Sequence, residues 1–298
     1  MSDVDVMMIG HFARDQNIVD GVGAVEPGGA VYFGSVALRQ LGIRVAVVTR
    51  LHPDDFGMLD ALREEGVQVY ATPAPETSGI ANYYDSADME RRVCKPLGFA
   101  GPFRLQEIPD LRARIYAVVP IIAGEVDLTL LRLLSERGPV ALDVQGFVRV
   151  RQETESGPAL VFRPWAEKER GLSLVTYLKV DRAEAELLTG ETELETAGHA
   201  LAELGPREVV LTQSSGVTVL AGGEIHQAPF TSRVLAGRTG RGDTCFASYL
   251  GTRLTSPPEQ AARVAAAVTT LKQEKPGPWR GSLAEVKSLV DGAIESGV

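Results

Sequence analysis

The chain has little of what would place it in an oxidising compartment or a membrane. Cysteine occurs twice in 298 residues, at Cys94 and Cys245. That number argues against a disulfide framework and for a reducing, cytoplasmic setting. Both cysteines read as small buried apolar residues. No apolar run is long enough to span a bilayer. Met1 is followed by Ser-Asp-Val-Asp instead of a basic stretch and an apolar run, so no secretory signal is expected. Positive charge is scarce: 30 basic against 39 acidic residues leave a net charge of −9. Nucleic acid and anionic membrane are therefore poor candidates for the main partner. The four histidines show no metal-ligand spacing. There is no internal repeat, and no Gly-Lys-Ser/Thr closes a phosphate-binding loop of the P-loop kind.

What is present is alternation. Hydrophobic residues make up 44% and charged residues 23%, the mix of a globular chain that needs no metal or disulfide to hold its core. Apolar runs at Val4–Ile9, Val45–Thr49, Ile115–Val119, Val140–Val144 and Glu208–Thr212 read as strands. Helical stripes intervene at 29–41, at Phe56, Leu59 and Leu62 up to Gly66, at 126–136, 181–188 and 194–204. Val217–Leu220 and Glu224–Gln227 form a hairpin across Gly222-Gly223. Three helices close the chain. Ser256 with Glu259, and Ser282 with Glu285, have the spacing of capping boxes. The pattern predicts an α/β fold, a three-layer α/β/α sandwich on a mainly parallel sheet. Residues 16–27 and 79–96 lack a helical stripe, and the second reads as a hairpin turning near 86–89. Together, within about 11–28 and 79–97, they are expected to form a small β lid on a single domain spanning 1–298. The charged stretch 150–172 reads as a surface excursion.

The segment Ala236–Leu250, AGRTGRGDTCFASYL, carries the chemistry. Glycines let an anion approach the backbone, and a helix start offers amides without intrahelical acceptors. Gly240, Arg241 and Gly242 could form an anion hole, with Asp243 beside it to take a proton from a hydroxyl. The bland alternative is a capping aspartate in a Gly-rich turn. Arg241 could face bound phosphates or solvent.

This segment resembles the C-terminal signature of the ribokinase-like (pfkB-type) carbohydrate kinases, D-T-x-G-A-G-D. Other pieces follow in the family's order: GHFARD at 10–15, Gly28-Gly29 before a helix, KVDRAEAELLTG around Asp181 and Glu184, and VVLTQSSGVTVL. The resemblance covers nearly the whole chain. It implies an ATP- and Mg2+-dependent kinase acting on a polyol hydroxyl, with Asp243 as base and the amides of Gly240, Arg241 and Gly242 as anion hole. It further implies Asp15, Gly28, Gly29, Glu125, Asp143 and Gln145 at the substrate. Asp181, Glu184, Thr212, Ser214, Gly216 and Lys272 would serve the nucleotide, with Glu184 holding Mg2+ through water. Two departures stand out. Gly237 replaces an aspartate that helps form a monovalent-cation site in some members, so monovalent-cation activation is not implied. Phe33 replaces a substrate-binding asparagine, which argues against ribose in the usual pose.

GGAVYFGS, LDVQGFVR and LKQEKPGPW are similar to the branch containing inositol-type kinases, which implies a cyclitol or sugar acceptor. A nucleoside kinase, or a sugar-binding protein on the same fold without catalysis, are the alternatives. Arg91-Arg92 could meet a charged substrate from the lid, and the lid is a candidate surface for a homodimer.

Overall fold

The computed structural model describes residues 2–85, 88–155, 157–237 and 239–295, with the side chains of 84–93 and 294–295 outside that description. Its strands in chain order are β1 (Val4–Ile9), β2 (Ala13–Val19), β3 (Val22–Gly28), β4 (Val45–Leu51), β5 (Gln68–Pro73), β6 (Gly79–Asp85), β7 (Asp88–Gly98) and β8 (Ala113–Val118). They continue with β9 (Val140–Asp143), β10 (Arg149–Thr154), β11 (Gly157–Phe162), β12 (Tyr177–Asp181), β13 (Glu208–Thr212), β14 (Gly216–Ala221) and β15 (Glu224–Pro229). Nine of them form the central sheet in the order β15-β14-β13-β12-β9-β8-β1-β4-β5. Pairing is parallel from β5 across to β13 and antiparallel at β14 and β15.

Both faces of this sheet are buried, which is why its strands read as unbroken apolar runs instead of alternating ones. Val6, Met8, Val45, Val47, Ile115 and Ala117 pack toward the helices Ala30–Gln40, Arg241–Arg253 and Pro258–Gln273. Their neighbours Met7, Ile9, Ala46, Val48, Tyr116 and Val118 pack toward Leu128–Arg137, Arg182–Thr189 and Leu194–Ala202. The order reverses between β1 and β8: the chain moves from β1 outward through β4 to β5, then returns to β8 on the other side. An open sheet leaves its crevice at such a reversal, outside the carboxyl ends of the strands.

Over that crevice lies a second, four-stranded sheet, β3-β2-β6-β7. Asp20 (φ 48°) and Gly21 (φ 82°) make the two-residue turn between β2 and β3, both in the left-handed region that such a hairpin requires. Ser86 and Ala87, where the second hairpin was expected to turn, lie outside the described residues.

Three sequence expectations are corrected. Residues 150–172 are no mere surface excursion, because β10 and β11 pair antiparallel and Leu160 packs on Ile80, Ile121 and Ile122. The stripe at 56–62 folds as a 3₁₀ segment, Pro53–Leu59, and one α-turn, Asp60–Arg63. Ser256 does not cap its helix: Pro257 holds the N-cap position and Pro258 the first turn, where a missing N–H costs nothing. The Ser282–Glu285 capping box does form, with Glu285 N–H donating to Ser282 Oγ at 3.3 Å and Ser282 N–H to Glu285 Oε2 at 2.7 Å.

Candidate active site

The crevice holds a cleft of about 320 Å³. One end is the start of the Arg241–Arg253 helix. Gly240 caps it at φ 80°, and a Cβ there would sit 2.2 Å from Cγ of Phe33. Only glycine allows both the turn and the contact. Beyond it Gly242, Asp243 and Arg241 line the cleft, at the positive end of the helix dipole. Burial pushes the Asp243 carboxyl up to about 6, and the charge of Asp143 adds to this, while Lys179, Arg149 and Lys272 pull it down.

Lys179, on β12, is 4% exposed. Its Nζ lies 3.1 Å from Asp143 Oδ1 and 3.6 Å from Glu184 Oε2. Burial works against its charge, but Asp143, Glu184, Asp181 and Asp243 outweigh burial and hold the ammonium above its ordinary range. Asp181 and Glu184 form a capping box: Glu184 N–H donates to Asp181 Oδ1 at 2.8 Å, and Asp181 N–H to Glu184 Oε2 at 2.7 Å. Burial raises the Glu184 carboxyl. Its Oε1 is buried with no partner among the described residues.

The other end of the cleft carries polar side chains. Asp15 accepts from Ile80 N–H at 2.8 Å. A Cβ on Gly28 would lie 2.0 Å from Asp15 Oδ2, so Gly28 makes room for the carboxylate. Asn82, tied to Asn17 and accepting from the Cys94 thiol at 3.3 Å, completes the wall from the second sheet. Cys94 is half-buried and only Cys245 is fully buried. From below come Gly29, Gln145 and Arg149. Arg149 is 7% exposed; its Nη2 donates to Gln145 Oε1 at 2.8 Å.

The structure thus gathers Asp243, Gly240, Arg241, Gly242, Asp15, Gly29, Gln145, Asp181 and Thr212 around one cleft, with Gly28, Asp143 and Glu184 directly behind it. Four more of the expected residues lie outside that cleft. Glu125 does not reach the cleft: it is fully buried, and its oxygens accept from Ile121, Ile122 and His11 N–H groups at 2.7, 2.8 and 3.2 Å. Its role is to tie the loops after β1 and β8 together. Burial pushes this carboxyl up to about 7, against the pull of those amides. Ser214 is exposed in the β13–β14 turn. Gly216 is a packing glycine, since a Cβ would meet Ala228 O at 2.6 Å. Lys272 lies inside, donating to Gly237 O at 2.7 Å; burial lowers its ammonium to about 8. It borders a second cleft of about 490 Å³ that shares Phe33 and Thr239 with the first. The side chains of Arg91 and Arg92 lie outside the described residues. Sequence reasoning missed Lys179, whose signal was a lysine inside the short apolar strand YLKVD, and Arg149 and Asn82, for which spacing offered none.

The model of the pfkB family carbohydrate kinases matches residues 14–283. The chain belongs to that family. It is a phosphotransferase with an alcohol acceptor, of the ribokinase fold. A pyrophosphate-dependent kinase of the ribokinase family, solved with sulfate, is 35% identical over 92% of this chain and 97% of its own, with a TM-score of 0.86. A pyrophosphate-dependent kinase of that family, solved with a pyrophosphate analogue and myo-inositol, is 33% identical over 95% and 99%, again at 0.86. Arabidopsis thaliana ribokinase with ribose and ATP, at 20% identity over 97% and 99% and a TM-score of 0.73, shares the fold. No curated protein matches the chain. Among the described residues no helix of this kinase is long and apolar enough to cross a membrane.

The placement of Glu125 has a direct test. Removing the carboxylate strands three buried amides, so Glu125→Ala should lose about 3 kcal/mol in urea unfolding. A variant of unchanged stability with a weakened acceptor KM would return Glu125 to the substrate.

Proposed function

We propose that this kinase transfers a phosphoryl group from pyrophosphate to a hydroxyl of a cyclitol, with Asp243 as general base. The observation that carries the reading is the meeting, in one cleft, of Asp243 at a helix start with the polar wall of Asp15, Asn82 and Gln145. Asp243 takes the hydroxyl proton as the oxygen attacks phosphorus. The new O–P bond forms, the bridging P–O bond breaks, and phosphate leaves. A carboxyl near 6 is mostly ionised at neutral pH and still basic enough to accept the proton. The helix start and the nearby cations meet the charge that develops on the phosphoryl oxygens.

The donor assignment rests on charge and on the relatives. Lys179, Arg149 and Arg241 line the cleft that holds Asp243. A donor without a nucleoside offers little apolar surface and must be held by charge-assisted contacts of this kind. Both relatives above 30% identity described above are pyrophosphate-dependent kinases. One observation favours ATP as a second reading: the adjoining cleft is walled by Phe33, Leu235, Ala236 and Pro276, apolar surface that a base could use.

Mg2+ fits the site in one way. Among the described residues no group of three ligating side chains gathers, but the unpartnered Glu184 Oε1 suits a contact through a metal-bound water, the rest of the shell coming from donor phosphates and water. When bound there, Mg2+ would neutralise donor charge.

Two measurements test the proposal. Turnover assayed with pyrophosphate and with ATP, each against myo-inositol and a panel of cyclitols and sugars, should be faster with pyrophosphate. ATP turnover with an inert pyrophosphate reverses the donor assignment, and binding without turnover on any pair refutes the catalytic reading. Asp243→Asn keeps the shape but cannot accept the proton, so kcat should fall ~10²–10⁴-fold with the fold intact; a variant near wild-type turnover removes Asp243 as base.

A further inference from the structure

The chain passes between its two larger sheets four times, and His11 meets every passage. His11 itself lies on the first, between β1 and β2. Its Nδ1 stands 2.7 Å from Ser78 Oγ, on the passage from β5 to β6. That hydroxyl accepts from Ala100 N–H at 3.0 Å, on the passage out of β7. The His11 ring packs on Phe99 beside it, with centroids 5.7 Å apart. The carbonyl of His11 lies against Gly29, on the passage out of β3, with no room for a side chain between them. His11 and Ser78 are both fully buried. Burial lowers the imidazole to about 3, against a backbone contact with Gly101 and with the charge of Arg50 adding, so the ring is neutral. A neutral ring has one acceptor nitrogen. Ser78 Oγ takes the Ala100 proton and has its own to give to Nδ1, so amide, hydroxyl and imidazole form one directed chain.

Two residues of the polar wall follow from this bond. Asp15 comes four residues after His11, and Asn82 four after Ser78. Their strands run parallel, with Gln16 opposite Ala81, and Asp15 accepts from Ile80 N–H at 2.8 Å. The opposite end of the cleft, with Gly240, Gly242, Asp243 and Thr212, belongs to the central sheet and its helices. We propose that His11 is a positioning residue for the acceptor: its bond to Ser78 fixes the four-stranded sheet over the cleft and so sets where Asp15 and Asn82 stand relative to Asp243. The inference rests on the phosphoryl-transfer reading of the cleft. It separates the two substrates, because the bond acts on the wall that faces the acceptor and not on the helix start that faces the donor.

The test is steady-state kinetics with myo-inositol as acceptor and the faster of pyrophosphate and ATP as donor. Ser78→Ala removes one buried hydrogen bond. His11→Leu removes the polarity of the ring and fills most of its space. Each should raise the KM for myo-inositol about three- to tenfold, the range of one net hydrogen bond, and leave the donor KM within about twofold. His11→Asn puts an acceptor oxygen near the place of Nδ1 and should recover most of the loss. A merely structural role would lower kcat through lost active enzyme and move neither KM, and that result overturns the proposal. A donor KM that rises as far as the acceptor KM overturns it too, as does a His11→Asn variant no better than His11→Leu. Should myo-inositol turn over with neither donor, the phosphoryl-transfer reading fails for that acceptor, and amide hydrogen exchange tests the bond by itself. Ser78→Ala should speed exchange in β2 and β6 and leave β9, β12 and β13 as in the wild type. Unchanged protection of β2 and β6 would overturn the proposal whatever the substrates are.

Discussion

Four carboxylates, those of Asp143, Asp181, Glu184 and Asp243, act on the one ammonium of Lys179. Like charges so near one another in a buried place cannot all stay ionised without a counter-charge. Lys179 provides it, at 3.1 Å from Asp143 and 3.6 Å from Glu184. The cleft depends on this pairing in two ways. It keeps Asp143 and Glu184 in place beneath the floor, and it limits how far burial can raise Asp243. Neutralising Lys179 would leave Asp143 still pushing that carboxyl upward, with only Arg149 and Lys272 opposing.

The remaining elements bring an acceptor and a donor to that centre. The reversal of strand order between β1 and β8 opens the crevice. The chain leaves the central sheet twice, after β1 and after β5, to build the sheet that overhangs it. Asp15 and Asn82 come from those excursions. Glu125 holds the loops after β1 and β8 together from behind, so it shapes the wall without lining the cleft. Closure of such a sheet over bound reactants would keep water from competing as acceptor.

Much of this was legible in the residues because burial on both faces makes parallel strands plainly apolar. Val4–Ile9 and Glu208–Thr212 were readable to the residue. The glycines at 28, 29 and 240 were readable because close approach leaves no other choice. Strand β12 escaped because Lys179 breaks its apolar run; the same charge that organises the site hid the element that carries it. Hairpin β10–β11 escaped because its outward residues, Arg151 and Glu153 among them, give it the composition of a loop. The Asp20-Gly21 turn was a readable hairpin signal that went unused. Glu125 was placed by resemblance at the substrate, and the structure turns it inward, because a linear motif says where a charge lies in the chain and not which way it points.

The central claim is that the buried charges around Lys179 set the basicity of Asp243. Site-resolved carbon NMR of the Asp243 carboxyl, followed from pH 3 to 9, measures this directly. The account predicts a midpoint of about 6 in the wild type, moving higher when Lys179 is replaced by methionine. A midpoint near 4, where an ordinary aspartate titrates, with no response to Lys179, would contradict it.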